Sequence, residues 1–498
     1  MIKSLALVGI LLAACAVEPD QATSSSEQLD SAPENQLVEA GTGLVLLEVT
    51  DDNFAIYQAG QQVFAAQLVA GATPRLIADV PAGNIAFAYR VGSVVFCWTN
   101  PDRTLPSFGV SPLVIWSART GAHLASQQSA VGTFATSTTP DGRFVVFPGN
   151  SSADGTTGEL DFASTDLHDQ ATLLPNIDMG FAGGPCRPQL TFVGGDHASL
   201  VAAYCVAGAA TATLSKWSTD RTRRDLLTNL RTPALLSADA DSEELFTITA
   251  AHTPMIVDAD GTARVVANVS ASSGFIGQDD AAYFITRDAA GVASQSRAAE
   301  GHAPQVIIHP LLGFQQFQFG SRAIASPPTS PDGHSVLYFD AFDPNTGLTD
   351  LLLTQERSPS TPIVIDAQQR DALFGVAFTA DSSHVLYTAA DVNTGLGPFF
   401  AADGRSAPRQ FSDAAGWSWD AAIGGIVTFN DHTTLDPNNV GILSTADLRA
   451  VDVTRTTLAP KLIATQANVN YFASYDHTAV AYTVDHGPQP GLYVARVK

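Results

Sequence analysis

The sequence predicts an all-β protein built from about ten repeat units, each of about four short strands. Three observations lead to this prediction. A turn followed by an apolar strand recurs along the chain, a hairpin signal follows later in each unit, and no long stretch has helical periodicity. Hydrophobic residues make up 45% of the chain, which supplies enough apolar material for a large core.

The recurring turn has a sequence that suits it. Proline presets φ at the first turn position, aspartate caps the turn through its side chain, and glycine accepts a positive φ. The β-branched and aromatic run that follows is typical of a buried strand. Clear copies of this turn and strand begin at Thr139, Ser330 and Thr379. Weaker copies precede the strands that start at Phe54, Leu200, Leu245, Ala281 and Ala479.

The hairpin signal completes the unit. Asp260-Gly261 and Asp403-Gly404 each separate two apolar runs, as expected for a tight β-hairpin. The units recur at a mean spacing of about 47 residues, close to the length of one propeller blade. The sequence therefore predicts a β-propeller of four-stranded blades, with the blade number open between about seven and ten. Two smaller propellers in place of one ring are also compatible with this spacing.

The Ser-Pro-Asp-Gly turn with its following strand, at Ser330–Gly333, resembles the TolB-type propeller repeat, a relative of the WD40 repeat. The resemblance extends over most of residues 44–498 at the level of pattern. It implies a scaffold that binds proteins or other ligands, and it carries over no catalytic residue. A propeller repeat specifies a fold far better than it specifies a function.

The N-terminus has the order of a signal peptide. A short basic start is followed by the apolar stretch Ser4–Leu12, which is too short to span a bilayer. Leu12-Ala13-Ala14-Cys15 resembles the bacterial lipobox, which implies cleavage before Cys15 and lipidation of its thiol. The alternative is an ordinary secretory signal with an incidental cysteine. Ala16 follows in place of the aspartate that often retains such proteins at the inner membrane, so the outer membrane is favoured.

These features divide the chain into three parts. Residues 1–14 are predicted to be the signal peptide, and residues 15–40 the lipidated cysteine with a flexible linker. The linker is polar and contains prolines and a serine run, so it buries too little apolar surface to fold. Residues 41–498 are predicted to form the propeller.

Charge excludes one class of partner. The chain has 49 acidic and 25 basic residues, for a formal net charge of −24. Such a surface repels phosphate backbones, and no Lys/Arg run of the type that binds nucleic acid appears in the sequence. Nucleic acid is therefore not an expected partner.

Candidate site residues are few. Asp239, Asp241 and Glu243, with Glu244, form a weak candidate for a calcium site, because alternating carboxylates can surround a hard cation. No glycine provides the sharp loop that such a site needs, and no histidines have the short spacing of a zinc site. The sequence therefore predicts no cofactor.

The cysteines leave two interpretations open. Cys186 and Cys205 lie in one repeat and can form a disulfide in an oxidising compartment, or they can be buried thiols. Cys97 has apolar neighbours and is predicted to be buried.

The functional hypothesis is a membrane-anchored binding scaffold of the cell envelope, with a protein, peptide or glycan as its ligand. The motifs of serine hydrolases, phosphate-binding loops and zinc peptidases are absent from the sequence. The alternative is a propeller enzyme of lyase or lactonase type, with a metal at the central channel.

Overall fold

The computed structural model describes residues 35–497 apart from 103–108, 132–136, 140–141, 180–185, 187, 194–198, 219–220, 233–235, 239–243, 259, 278–279, 309–329, 331–333, 344–347, 356–357, 371–375, 380, 390–395, 422–424, 435–443, 475–477 and 487. These residues form 38 strands and no helix. Accordingly, the described part of the chain contains no apolar helix of membrane-spanning length.

The strands form ten successive antiparallel sheets, numbered here in chain order. Sheets 1 to 3 contain β2 (Leu44–Val49), β3 (Phe54–Ala59), β4 (Gln62–Gln67) and β5 (Arg75–Asp79); β6 (Phe87–Val91), β7 (Val94–Trp98), β8 (Val110–Ser117) and β9 (His123–Ala130); and β10 (Ser137–Thr138), β11 (Phe144–Pro148), β12 (Thr157–Ser164) and β13 (Gln170–Asp178). Sheets 4 to 6 contain β14 (Gln189–Val193), β15 (Ser199–Tyr204), β16 (Ala212–Trp217) and β17 (Arg223–Leu230); β18 (Leu236–Ala238), β19 (Glu244–Ile248), β20 (Pro254–Asp258) and β21 (Ala263–Val265); and β22 (Ala271–Ile276), β23 (Ala282–Arg287), β24 (Ala293–Ala298) and β25 (Gln305–Ile308).

Sheets 7 to 9 contain β26 (Ser335–Asp343), β27 (Leu348–Gln355) and β28 (Ser358–Arg370); β29 (Val376–Phe378), β30 (Val385–Thr388), β31 (Gly397–Ala402) and the first half of β32 (Arg409–Ala421); and the second half of β32 with β33 (Ile426–Thr434), β34 (Thr445–Asp452) and β35 (Lys461–Asn468). The first half of β32 pairs with β31 and its second half with β33, so one long strand passes from sheet 8 into sheet 9. Sheet 10 contains β36 (Phe472–Ala473), β37 (Ala479–Val484), β38 (Gly491–Arg496) and β1 (Asn35–Ala40).

The first and last strands of the chain close the ring. β1 pairs with β38 as the fourth strand of sheet 10, and Asn35 lies opposite Ala495. The sequence prediction placed residues up to 40 in a flexible linker, and here the structure differs. The segment Asn35–Ala40 was assigned to the linker because it continues a polar stretch, whereas it forms a strand because β38 offers an unpaired edge and Val38 enters the core.

The core consists of ten hydrophobic clusters, one between each pair of neighbouring sheets. The cluster that contains Val38, Leu46 and Leu492 joins sheet 10 to sheet 1. Because the cycle of clusters returns to its start, the described strands form a single closed ring of ten sheets, of which nine have four strands and sheet 7 has three described strands. This arrangement is a β-propeller, and it confirms the predicted fold class.

The second strands of the sheets are continuous apolar runs in the sequence because both of their faces are buried, as β7 illustrates. In β7, Phe96 and Trp98 pack toward sheet 3, whereas Val95 and Cys97 pack toward sheet 1. Successive side chains of a strand point to opposite faces, and here both faces are covered by a neighbouring sheet. Burial raises the pKa of the Cys97 thiol to about 12, so this cysteine is an unreactive core residue.

The first strands of neighbouring sheets contact one another, which places them around the axis of the ring; examples are β2 with β6 and β14 with β18. In five of the sheets, the turn before the second strand is held by a buried serine or threonine. At Thr379, the side-chain oxygen accepts the backbone N–H of His384 at 3.0 Å. The equivalent residues in other sheets are Thr50, Thr139, Ser330 and Ser474.

The aspartate of this turn acts as predicted where the structure describes it. Asp381 Oδ1 accepts the backbone N–H of Ser383 at 3.0 Å. Asp141 and Asp332 lie outside the described residues. The hydroxyl at the first position of the repeat was not assigned a role from the sequence, although it is the more regular feature.

A β-bulge recurs between the third and fourth strands. In nine of the ten sheets the register between these strands shifts at one or more positions. The extra residue is typically a large apolar one that turns into the core, as with Ile77, Ile307 and Ile463. A bulge bends the strand that carries it and increases the local twist.

Sheet 4 carries a disulfide. Cys186 and Cys205 are bonded, with Cα atoms 5.8 Å apart and a sequence separation of 19 residues. Both lie in the cluster between sheets 4 and 5. The sequence left open whether these two cysteines form a disulfide or are buried thiols, and in the structure they form the disulfide.

Replacing both cysteines by serine is expected to lower the free energy of unfolding by about 3 kcal/mol, because the unfolded chain regains the entropy of an open loop of this length. Urea unfolding of the C186S/C205S variant measures this loss. Adding a reductant is expected to shift the wild-type midpoint to that of the double variant and to leave the double variant unchanged. Equal midpoints for oxidised wild type and double variant would contradict the prediction.

Candidate functional site

Most of the site residues that were predicted from the sequence lie outside the described part of the chain. Cys15 and the weak calcium candidates Asp239, Asp241 and Glu243 lie outside the described residues. Their neighbour Glu244 is described, and its Oε1 accepts a hydrogen bond from Arg264 Nη2 at 2.8 Å. Glu244 is therefore engaged in an ion pair within its own sheet.

Two polar clusters stand out among the described residues. The first, the inner-strand cluster, consists of Glu48, Asp51 and Arg90. Glu48 is the penultimate residue of the apolar strand β2, and Arg90 lies on the neighbouring first strand β6. Arg90 Nη1 donates to Asp51 Oδ1 at 2.8 Å, and Arg90 Nε lies 3.7 Å from Glu48 Oε1. One guanidinium thus bridges two carboxylates beside the axis of the ring.

Glu48 is the most perturbed acid of this cluster. Burial raises its pKa from 4.5 to about 7, against the opposing effect of Arg90 and of the backbone N–H of Val49, which donates to Oε1 at 2.9 Å. Burial also raises the pKa of Asp51, again against Arg90. Buried carboxyl groups with a raised pKa occur both in functional sites and in structural ion-pair networks.

Glu48 is expected to make stability fall as pH rises. The folded protein binds this proton more tightly than the unfolded chain, so the free energy of unfolding decreases between pH 4.5 and about 7 and is then constant. The full change is at most about 3 kcal/mol. The Glu48→Gln variant is expected to lack this decrease and to be more stable than wild type at alkaline pH.

Thermal unfolding across this pH range measures the effect. Glu300→Gln, at an exposed position, serves as the control and is expected to keep the wild-type profile. Parallel profiles for Glu48→Gln and wild type would contradict the assignment.

The second cluster, the crossover cluster, consists of Asp413, Asp431, His432 and Arg449. It lies where β32 passes from sheet 8 to sheet 9 and where β33 ends. Asp431 is 5% exposed, and its Oδ1 accepts the Ser412 hydroxyl at 2.6 Å. Its Oδ2 lies 2.9 Å from Arg449 Nε and 3.1 Å from His432 Nδ1.

The crossover cluster contains the types of atom that bind a divalent cation. One ligand atom from each of Asp413, Asp431 and His432 lies within 4.8 Å of the others. Two carboxylates and an imidazole form a plausible ligand set. However, Arg449 already neutralises Asp431, which is the buried member, so a cation here competes with a guanidinium. The geometry of the cluster is that of an ion-pair network.

Sequence analysis missed both clusters. Glu48 carries a signal, since it is a lone acid in the apolar strand Leu44–Val49. Asp431 and His432 follow an apolar strand but match no ligand spacing. Each cluster joins residues of different strands or sheets, so the convergence depends on the closed ring and is not visible in linear order.

These observations define the class of protein as a closed β-propeller. No family model matches the chain, and no curated protein matches it. Solved structures that resemble it include a eukaryotic initiation factor, at 12% identity and a TM-score of 0.49, over 76% of this chain and 91% of that one.

Two other similar solved structures are a β-propeller domain and a putative TolB. The β-propeller domain of the trilobed protease from Pyrococcus furiosus is 11% identical with a TM-score of 0.38, over 77% of this chain and 99% of that one. A putative TolB from Agrobacterium tumefaciens is 16% identical with a TM-score of 0.29, over 51% of this chain and 89% of that one.

Proposed function

We propose that this protein is a lipid-anchored propeller of the bacterial cell envelope that acts as a binding scaffold for an envelope protein, a peptide or a glycan. The observation that carries the scaffold role is the closed ring, to which all described strands from β1 to β38 belong. A ring of this kind presents its loops on two faces and its first strands around an axis. Each of these surfaces can hold a ligand without chemistry.

The net charge of the chain indicates the charge expected of its ligand. With 49 acidic against 25 basic residues, the ring favours partners that carry positive charge. Association with such a partner is expected to be fast at low ionic strength and to weaken as salt screens the charges.

Pull-down from solubilised envelope tests the scaffold role. The expected result is a reproducible partner that is recovered at low salt and is depleted at high salt. A heat-unfolded sample of the same protein is the control for non-specific capture. The absence of any reproducible partner would contradict the scaffold role.

The anchor is supported by the lipobox-like Leu12-Ala13-Ala14-Cys15 and is tested by metabolic labelling with a fatty-acid analogue. Wild type is expected to carry the label and to fractionate with membranes, whereas Cys15→Ser is expected to remain unlabelled. Cys97→Ser is the matched control, because this buried cysteine lies within the ring and its loss leaves the label in place. Labelled Cys15→Ser protein would overturn the anchor.

A second candidate function is a metal-dependent propeller enzyme, which the ligand types of Asp413, Asp431 and His432 favour. Metal analysis of the purified protein distinguishes the metal-dependent enzyme from the binding scaffold. Stoichiometric divalent metal that is lost in Asp431→Asn would support the enzyme. The scaffold predicts equal, substoichiometric metal in both proteins.

A further inference from the structure

The position just before the bulge of each fourth strand differs around the ring. This residue faces away from the core, since the bulged residue after it turns inward. In sheets 9, 10 and 1, which are consecutive, it is leucine: Leu462, Leu37 and Leu76. In the other six sheets with the bulge it is Ala125, Thr172, Asp225, Val306, Val364 and Gln410.

The two flanking leucines are exposed, as are Val306 and Val364 at the same position in sheets 6 and 7. Leu462 is 41% exposed and Leu76 is 46% exposed, while Leu37 between them is partly buried. Among the described residues, Leu76 and Leu462 are the two leucines in the set of exposed large hydrophobic side chains, and the others are valines. They flank the sheet into which the N-terminal strand is paired, on either side of β1.

The chain enters the ring in the middle of this apolar strip. Asn35, the first described residue, donates from Nδ2 to the backbone carbonyl of Ile463 at 2.8 Å, next to Leu462. The predicted lipid attachment at Cys15 is 20 residues earlier in the sequence. The sequence predicts a flexible linker here, and for such a chain of 20 residues the root-mean-square span is roughly 25 Å. A lipid on Cys15 is then expected to keep this side of the ring close to the bilayer.

Basic residues accompany the strip. Lys461 and Arg75 precede the two exposed leucines, and Arg496 follows the residue paired with Asn35. All three are at least partly exposed, and none takes part in an ion pair with a described residue. The Arg75 guanidinium lies over the Phe54 ring, 5.6 Å from its centroid. The acids of the same strands, Asp79 and Glu39, lie toward the opposite strand ends. The fourth strands of these sheets therefore carry their basic residues at the end where the leucines lie.

We propose that Leu462, Leu37 and Leu76, with Lys461 and Arg75, form a lipid-contact strip by which the ring rests edge-on against the membrane surface. The proposal depends on the lipid anchor proposed above. Aliphatic side chains enter the headgroup region and adjacent cations meet lipid phosphates, the combination that holds peripheral proteins at an interface. An edge-on ring keeps both loop faces free for a ligand.

The test uses the full lipidated chain in vesicles of phosphatidylethanolamine and phosphatidylglycerol. A fluorophore is attached at Leu462→Cys or Leu76→Cys, and quenching by a headgroup-labelled nitroxide lipid is measured. Val265→Cys is the matched control, because Val265 is 50% exposed, follows an arginine and lies on the fourth strand of sheet 5, half-way around the ring.

Quenching at positions 462 and 76 is expected to be several-fold stronger than at position 265. Equal quenching at the three positions would overturn the strip while leaving the anchor intact. Intact-mass measurement of the same samples separates the two proposals, since a chain without the added lipid overturns the anchor and the strip with it.

Discussion

Val38→Asp is expected to cost about 4 kcal/mol or more of folding free energy, because it buries an unpaired charge. Val38 is 4% exposed and lies in the cluster between sheets 10 and 1, among Leu44, Leu46 and Leu492. It is also on the strand that closes the ring. The charge can be relieved by release of β1, which leaves the edge of β38 unpaired and exposes the cluster.

Urea unfolding and limited proteolysis measure this loss, with cleavage expected first near the N-terminal strand. Gln36→Asp is the matched control, because it places the same charge at an exposed position of the same strand. A Val38→Asp protein with wild-type stability and wild-type protease resistance would show that β1 does not close the ring.

Phe429→Ala is expected to lower the free energy of unfolding by about 3–5 kcal/mol, the range for deletion of a buried aromatic side chain. Phe429 is fully buried between sheets 8 and 9. Its ring packs edge-on against Phe399, at a centroid distance of 5.8 Å, and against Phe411, at 5.2 Å. The loss combines the transfer of the ring to water with a cavity that the two other rings only partly fill.

The urea midpoint of Phe429→Ala measures this effect. Val364→Ala, at a position 55% exposed on sheet 7, is the control and is expected to change the free energy of unfolding by less than about 0.5 kcal/mol. A change of similar size in both variants would contradict the role of the aromatic cluster.

Much of the fold was predictable because a propeller repeats its local chemistry. The turn before each second strand and the hairpin after each third strand are short-range features, so Thr379–Asp381 and Asp403-Gly404 carry their structure in their own sequence. The closing strand was not predictable in this way. Asn35–Ala40 contains a single residue that becomes fully buried, and its partner β38 lies at the other end of the chain.

The β-bulge of the fourth strands was also not predictable from the sequence. A run such as Arg75-Leu76-Ile77 indicates a strand with two adjacent aliphatic residues, and period-two alternation places one of them on each face. The register with β4 decides that Ile77 is the inserted residue and that Leu76 faces solvent. Register between strands is a tertiary property, because it depends on which residues the neighbouring sheet covers.

The sequence by itself determined the strand-rich repeat, its turns and the polar stretch that precedes the ring, because each depends on residues within a few positions of one another. The tertiary structure alone decided the closure of the ring by β1, the meeting of Glu48 with Arg90 and the approach of Asp431 to Arg449. These contacts join residues of different strands or sheets, and their geometry is fixed by packing around the axis.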